Sequence, residues 1–227
     1  MVQNHVKRIR APRTWNIRRK VGTFVTKGSA GPQDARSSVP LTVLFKDILG
    51  RANSTKELKI ILHTTEVLVN GRRVKDYRFP VGLMDVLTLK KTGESFMVLF
   101  SPKGKIIAQE TGPDEAIDMV RIKDKTFLKG GRVQLNFHDG RNLIVEKDSY
   151  KTGDTLVIDG KSVKDHLSLE KGCPVFLIGG RHIGLSGTVD EVREDRIIYK
   201  DDAGQAVETA REYAFVIGKD KPVISIR

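Results

Sequence analysis

Apolar side chains recur at Leu41, Leu44, Phe45, Ile48 and Leu49. The spacing i, i+3, i+4, i+7, i+8 predicts one apolar stripe of a helix over 41–49. Pro40 suits its start and Gly50 its end. A second helix is predicted to open at Asn53 or Ser54. Glu57 lies three residues after Ser54, the capping-box spacing, and Leu58, Ile61 and Leu62 form the stripe. Lys56 and Lys59 fall off that stripe, close to a helix N-terminus whose free N–H groups add partial positive charge. The period then changes to two. Val67 and Val69 precede Asn70-Gly71, and Val74 follows, which predicts a hairpin with Arg72, Arg73, Lys75 and Arg78 after the turn.

From residue 94 onward short apolar runs alternate with turn residues. Asp139-Gly140, Asp159-Gly160 and Ala203-Gly204 are hairpin candidates, and 133–137, 156–158 and 197–199 are strand candidates. Gly112-Pro113-Asp114-Glu115-Ala116 is expected to start one short helix. The pattern suggests small barrels. Gly28-Ser29-Ala30-Gly31-Pro32 reads as a linker.

Charge sharpens this picture. The chain of 227 residues carries 40 Lys and Arg against 28 Asp and Glu, a formal net charge of +12. Residues 1–40 hold 9 basic and 1 acidic residue, and 41–104 hold 11 and 6. Residues 105–170 hold 11 and 12, and 171–227 hold 9 and 9. The whole excess therefore lies before residue 105, as a basic arm and a basic helix–hairpin module followed by near-neutral modules. Such a surface favours a polyanion.

Within the arm, Lys7, Arg8, Arg10, Arg13, Arg18, Arg19 and Lys20 put seven positive charges in 14 residues with no acid between them. Their mutual repulsion predicts an extended segment until a polyanion neutralises it. Trp15 is the chain's one tryptophan. Between arginines it suits stacking on an unpaired base while the guanidiniums hold phosphates. A solvated tail with Trp15 tucked against the first domain is the plainer alternative. Pro12 interrupts any amphipathic helix, which disfavours a membrane-surface role.

Other chemistry is missing. One cysteine, Cys173, excludes an internal disulfide and any zinc site on paired cysteines. No apolar run approaches the roughly 18–20 residues of a membrane helix, and the N-terminus lacks the apolar core of a signal peptide. Gly160-Lys161-Ser162 ends like a P-loop, but Thr155 stands where the earlier glycine is required. Histidines 5, 63, 138, 166 and 182 are scattered. No catalytic constellation, metal site, cofactor or small-molecule substrate is expected.

Ser54 with its apolar stripe, followed by Val67-x-Val69-Asn70-Gly71-x-x-Val74, resembles the αL-type RNA-binding domain. The whole chain resembles the archaeal and eukaryotic small-subunit ribosomal protein family S-four-e. That likeness includes Ala11-Pro12-x-x-Trp15, Gly31-Pro32, Pro80-x-Gly82-x-Met84-Asp85-Val86, Lys91-Thr92-Gly93-Glu94 and Phe215-Val216-Ile217-Gly218-Lys219. Three places depart from the wider αL pattern: Thr55 replaces the usual arginine after the serine, with Lys56 next, Thr65 replaces a glycine, and the usual Gly-Asp pair is split as Gly82-Leu83-Met84-Asp85. Residues 171–189 resemble the KOW motif, with Ile183 and Leu185 where lysines often flank the glycine and with Arg181 and His182 as polar tip.

The resemblance implies an α+β chain. It has a basic extension (1–40), an αL-type domain (41–104), a central β-rich domain (105–170) and a KOW-type, SH3-like barrel (171–227). It implies a structural, non-enzymatic constituent of the small ribosomal subunit in the cytoplasm, which braces rRNA and touches neighbouring ribosomal proteins. The expected rRNA contacts are the arm residues above with Arg51, Lys56, Lys59, Arg72, Arg73, Lys75, Arg78, Arg181 and His182. An RNA-modifying enzyme or accessory subunit, and a KOW-type transcription factor, are the alternatives.

Overall fold

The computed structural model describes residues 4–31, 33–112, 116–160, 162–201, 204–219 and 221–224. They pack as two compact units, Met1–Phe100 with Gly104–Ala116, and Ser101–Lys103 with Ile117–Arg227. The chain is mostly β with few helices, so the α+β expectation gave the helices too much weight.

In the first unit β1 (His5–Lys7) pairs antiparallel with β2 (Phe24–Thr26). A 3₁₀ turn, Arg8–Arg10, follows β1. β3 (Ser38–Pro40) leads into α1 (Leu41–Val43), which continues as a single π turn over Leu44–Ile48. The N–H of Leu49 reaches the carbonyl of Leu44, five residues back, at 2.8 Å. This differs from the continuous α-helix expected over 41–49. The wider turn rotates the end of the stripe off the core. Leu41, Leu44 and Phe45 are buried, whereas Ile48 and Leu49 are half-buried.

The second helix, α2 (Thr55–Thr64), forms as its caps dictate. Ser54 Oγ accepts from the Glu57 N–H at 3.1 Å, and the Glu57 carboxylate accepts from the Asn53 N–H at 2.8 Å. Leu58 and Leu62 are its fully buried residues. The strands β4 (Val67–Val69), β5 (Arg72–Arg73), β6 (Pro80–Gly82), β7 (Val86–Leu89), β8 (Glu94–Phe100) and β9 (Ile106–Thr111) complete the unit. β6 pairs with β3, and the rest form an antiparallel sheet in the order β5-β4-β7-β8-β9. β9 pairs with β8 from Ser95↔Thr111 to Phe100↔Ile106, which carries this sheet past residue 104. The expected helix at 112–116 falls largely on residues 113–115, outside the described residues, and 116–118 are not helical.

In the second unit β10 (Met119–Phe127), β11 (Val133–Phe137), β12 (Asn142–Val145), β13 (Thr155–Asp159) and β14 (Ser162–Leu167) form a sheet in the order β12-β11-β10-β13-β14. Val120, Ile122, Val133, Leu135, Phe137 and Leu156 are its core. Arg141 braces the β11–β12 turn: its Nη1 and Nη2 each donate to Asp118 at 2.6 Å, and its Nε donates to Asp139. Burial alone would lower the Arg141 pKa, but the two carboxylates outweigh it and raise it. A last sheet is ordered β18-β17-β16-β15-β19, from β15 (Pro174–Leu177), β16 (Ser186–Val192), β17 (Arg196–Asp201), β18 (Ala206–Ala210) and β19 (Ala214–Val216). Hairpins thus stand at Asp139-Gly140 and at Asp159-Gly160; of the third candidate, Ala203 lies outside the described residues, and the Gly204 N–H donates to the Asp201 carbonyl at 2.8 Å.

Candidate nucleic-acid interface

Arm residues 4–27 fold back on themselves and onto the first unit. Trp15 is 5% exposed, and its indole N–H donates to the Ser38 carbonyl at 2.8 Å. The base-stacking role expected of Trp15 is therefore corrected: an indole gains more from burial and one satisfied N–H than from waiting in water. Arg8 donates to Asp47 and, through Nε, to the Arg18 carbonyl at 2.6 Å. Arg19 spans the carbonyls of Ile9, Ala11 and Pro12 at 2.8–2.9 Å. These two guanidiniums overcome the repulsion that predicted an extended arm, because they bind carbonyl dipoles within it and the Asp47 carboxylate of the π turn. Lys7, Arg10, Arg13, Arg18 and Lys20 stay exposed.

The expected linker at 28–32 is also packed, in the part that is described. Ser29 N–H donates to the Arg78 carbonyl at 2.9 Å, and a side chain at Gly31 would collide with Pro80. Pro32 lies outside the described residues. Just beyond, Gln33 Nε2 reaches Asp85 at 3.3 Å, across a Gly82 that has no room for a Cβ.

Asp85 is buried and organises the basic hairpin. It accepts from the Gly82 N–H at 2.6 Å and from Asn70 Nδ2 at 2.7 Å, while Asn70 Oδ1 accepts from the Val86 N–H at 2.8 Å. Asn70 and Gly71 sit at φ 49° and 74°, the left-handed pair of a tight hairpin turn. The turn is thus fixed from behind by a buried carboxylate, and Arg72, Arg73 and Lys75 project into solvent beyond it. Sequence reasoning marked the turn and missed Asp85 and Gln33 as the residues that hold it. The one signal available was the Gly82-to-Asp85 stretch within a likeness.

The helical side of the unit carries the remaining cations. Lys59 Nζ stands over the Tyr77 ring, 4.6 Å from its centre. Arg78 bonds Asn4 of the arm. Arg51 pairs with Glu94 at 2.8 Å, and Lys56 is exposed in the first turn of α2. A groove of about 310 Å³ lies between arm and helices, lined by His5, Arg8, Lys46, Asp47, Thr55 and Tyr77. The structure thereby brings arm, helix start and Arg78 together on one unit. Arg181 and His182 lie elsewhere, after β15. Arg181 is exposed, and His182 is half-buried with its ring edge-on to Tyr199 at 6.4 Å.

A smaller share of the cations here has acidic partners than in the last sheet. Lys171 and Lys200 both pair with Asp190, Arg193 with Glu191 and Arg196 with Glu208. Hydrogen bonds from Lys200 hold the Asp190 carboxyl below its ordinary pKa, and those from Arg193 do the same for Glu191. No group of three His, Cys, Asp or Glu able to hold a metal occurs among the described residues. No described helix is long and apolar enough to cross a membrane.

Comparison with known proteins gives this basic, mostly β chain a class. Residues 92–164 match the profile of Ribosomal family S4e, and residues 2–36 match that of the RS4NT (NUC023) domain. Small ribosomal subunit protein eS4 of Methanosphaera stadtmanae is 40% identical over 233 residues, covering 99% of this chain and 96% of that protein. Its counterpart in Methanococcus aeolicus is 38% identical over 239 residues, covering 99% and 98%. The crystal structure of 30S ribosomal protein S4e from Thermoplasma acidophilum matches with a TM-score of 0.70 at 27% identity, over 83% of this chain and 99% of that one. Each of these relatives is a protein of the ribosome. The chain belongs to their family, S4e.

Proposed function

We infer that the protein is a structural, non-enzymatic constituent of the small ribosomal subunit, and that it binds and braces rRNA. Membership of the S4e family is the observation that carries this reading. The alternative of an RNA-modifying enzyme gains no support from the relatives.

The first unit is the main rRNA-binding part. Its helix capped by Ser54 and its Asn70-Gly71 hairpin support the αL-type assignment. Arg72, Arg73, Lys75, Lys56, Lys59, Arg51 and Arg78, with the exposed arm cations Lys7, Arg10, Arg13, Arg18 and Lys20, hold phosphates. Release of counterions supplies the affinity, and RNA shape supplies the recognition. Arg8 and Arg19 act as struts of the arm. With β9 joined to the first unit's sheet, residues 117–170 and 171–227 are a central β module and a KOW-type module. The charge pairing of the latter leaves Arg181 and His182 as a small contact for rRNA or a neighbouring ribosomal protein. The place of action is the cytoplasm, within the subunit.

Sedimentation of cell extract tests this. The protein should travel with small subunits at low salt and stay there at moderate salt. A position at the top of the gradient under both conditions would refute the reading.

A further inference from the structure

The near-zero charge of residues 105–170 conceals a local excess. Residues 123–132 contain Lys123, Lys125, Lys129 and Arg132 against Asp124 alone. They form the outer half of β10, the turn and the approach to β11. β10 pairs with β13 only over Met119–Arg121, so from Asp124 to Phe127 its one partner among the described strands is β11. Lys125 is neutralised by Asp148. Lys123, Lys129 and Arg132 are exposed and have no carboxylate within 4 Å among the described residues.

At the end of β10 stands Phe127, 74% exposed. An aromatic ring left in water shares this hairpin with three exposed cations. The turn is thin as well. Leu128 N–H donates to the Arg132 carbonyl at 2.9 Å, and the tip between them holds Gly130 and Gly131 at φ 83° and 74°. Open space surrounds both glycines where side chains would be. A long backbone can therefore approach the tip closely.

We propose that this hairpin is a second, separate RNA contact, in which the Phe127 ring stacks on one unpaired base and Lys123, Lys129 and Arg132 hold flanking phosphates. The inference rests on the ribosomal reading above and extends it to the second unit. Lys123 lies four residues before Phe127, about 13 Å along a strand, so the contact spans a short stretch of single strand. An aromatic face with flanking cations suits any base, because every base has a π face.

The test uses the full chain and transcribed small-subunit rRNA, with affinity measured across a salt series. Phe127→Leu keeps an apolar side chain and removes the ring. It should weaken binding roughly tenfold with an unchanged salt slope, and Phe127→Tyr should bind as the parent does. Lys129→Gln with Arg132→Gln should lower the slope by roughly 1.4–1.8. All three sites are exposed, so thermal unfolding should not shift. Parent protein that binds with Phe127→Leu binding equally well would overturn the inference alone. So would normal rRNA affinity combined with loss of a neighbouring protein from subunits reconstituted with Phe127→Leu. Parent protein that fails to bind rRNA would instead sink the ribosomal reading.

Discussion

Cations are used in opposite ways at the two ends of this chain. In the last sheet Lys171, Lys200, Arg193 and Arg196 each face a carboxylate. On the first unit Arg10, Lys20, Lys56, Arg72, Arg73 and Lys75 are exposed with no carboxylate within 4 Å among the described residues. Paired charges have little field left for a distant phosphate, and unpaired ones keep theirs. Net charge is thus a residue of local pairing. A region can hold as many lysines and arginines as acids and still carry a free basic patch, as the β10–β11 hairpin does.

The largest expected effect concerns the arm, which belongs to the fold of the first unit. Trp15→Ala removes a buried indole and leaves the Ser38 carbonyl without its partner. It should cost about 3–5 kcal/mol, seen as a large fall in unfolding midpoint. An unchanged midpoint would return the arm to the status of a solvated tail. Next comes the buried fastening of the hairpin. Asn70→Ala deprives Asp85 and the Val86 N–H of partners and should cost about 1–3 kcal/mol. If denaturant unfolding finds no change, Asp85 does not hold the turn.

Changing Arg72 and Arg73 together to Ala should leave stability alone and lower the salt slope of rRNA binding by roughly 1.4–1.8, with reduced incorporation into subunits. The matched change in the last sheet, Arg193→Ala with Arg196→Ala, should move neither slope nor midpoint measurably. A slope that fell equally in both would erase the contrast between the two regions. The smallest effect is chemical. Burial raises the Cys173 pKa, and its Sγ donates to the Glu170 carbonyl at 2.9 Å. The thiol should resist alkylation at pH 8 in the native protein and react once unfolded. Native labelling at the unfolded rate would show that the start of β15 opens readily.

What could be read along the chain was local. Asn70-Gly71, Asp139-Gly140 and the Ser54–Glu57 cap are each marked by residues within four positions, and all three form. Trp15 depends on Ser38, Gln33 on Asp85, and Asn4 on Arg78, which are separated by 23, 52 and 74 residues. No periodicity marks such partners. The π turn after Val43 escaped notice because its stripe of apolar residues is the same as that of an α-helix. A candidate basic surface was legible where charge is dense, at 7–20 and 72–78. It was lost where acids a few residues away cancelled the count, at 123–132. The first case reflects sequence clustering, the second a hairpin that carries its cations away from those acids.

Among the arm's longest ties is the Ile106 N–H to the Thr14 carbonyl, at 2.7 Å. Thr14 leaves the ribosome long before Ile106 exists. At ordinary rates of synthesis the interval is roughly 5–20 s. During that time the arm lacks its tie to β9, and its exposed cations Lys7, Arg10, Arg13, Arg18 and Lys20 emerge beside the rRNA of the particle making them. The first stretch to be translated is therefore among the last to settle, and the growing chain passes through a stickier form than the finished one.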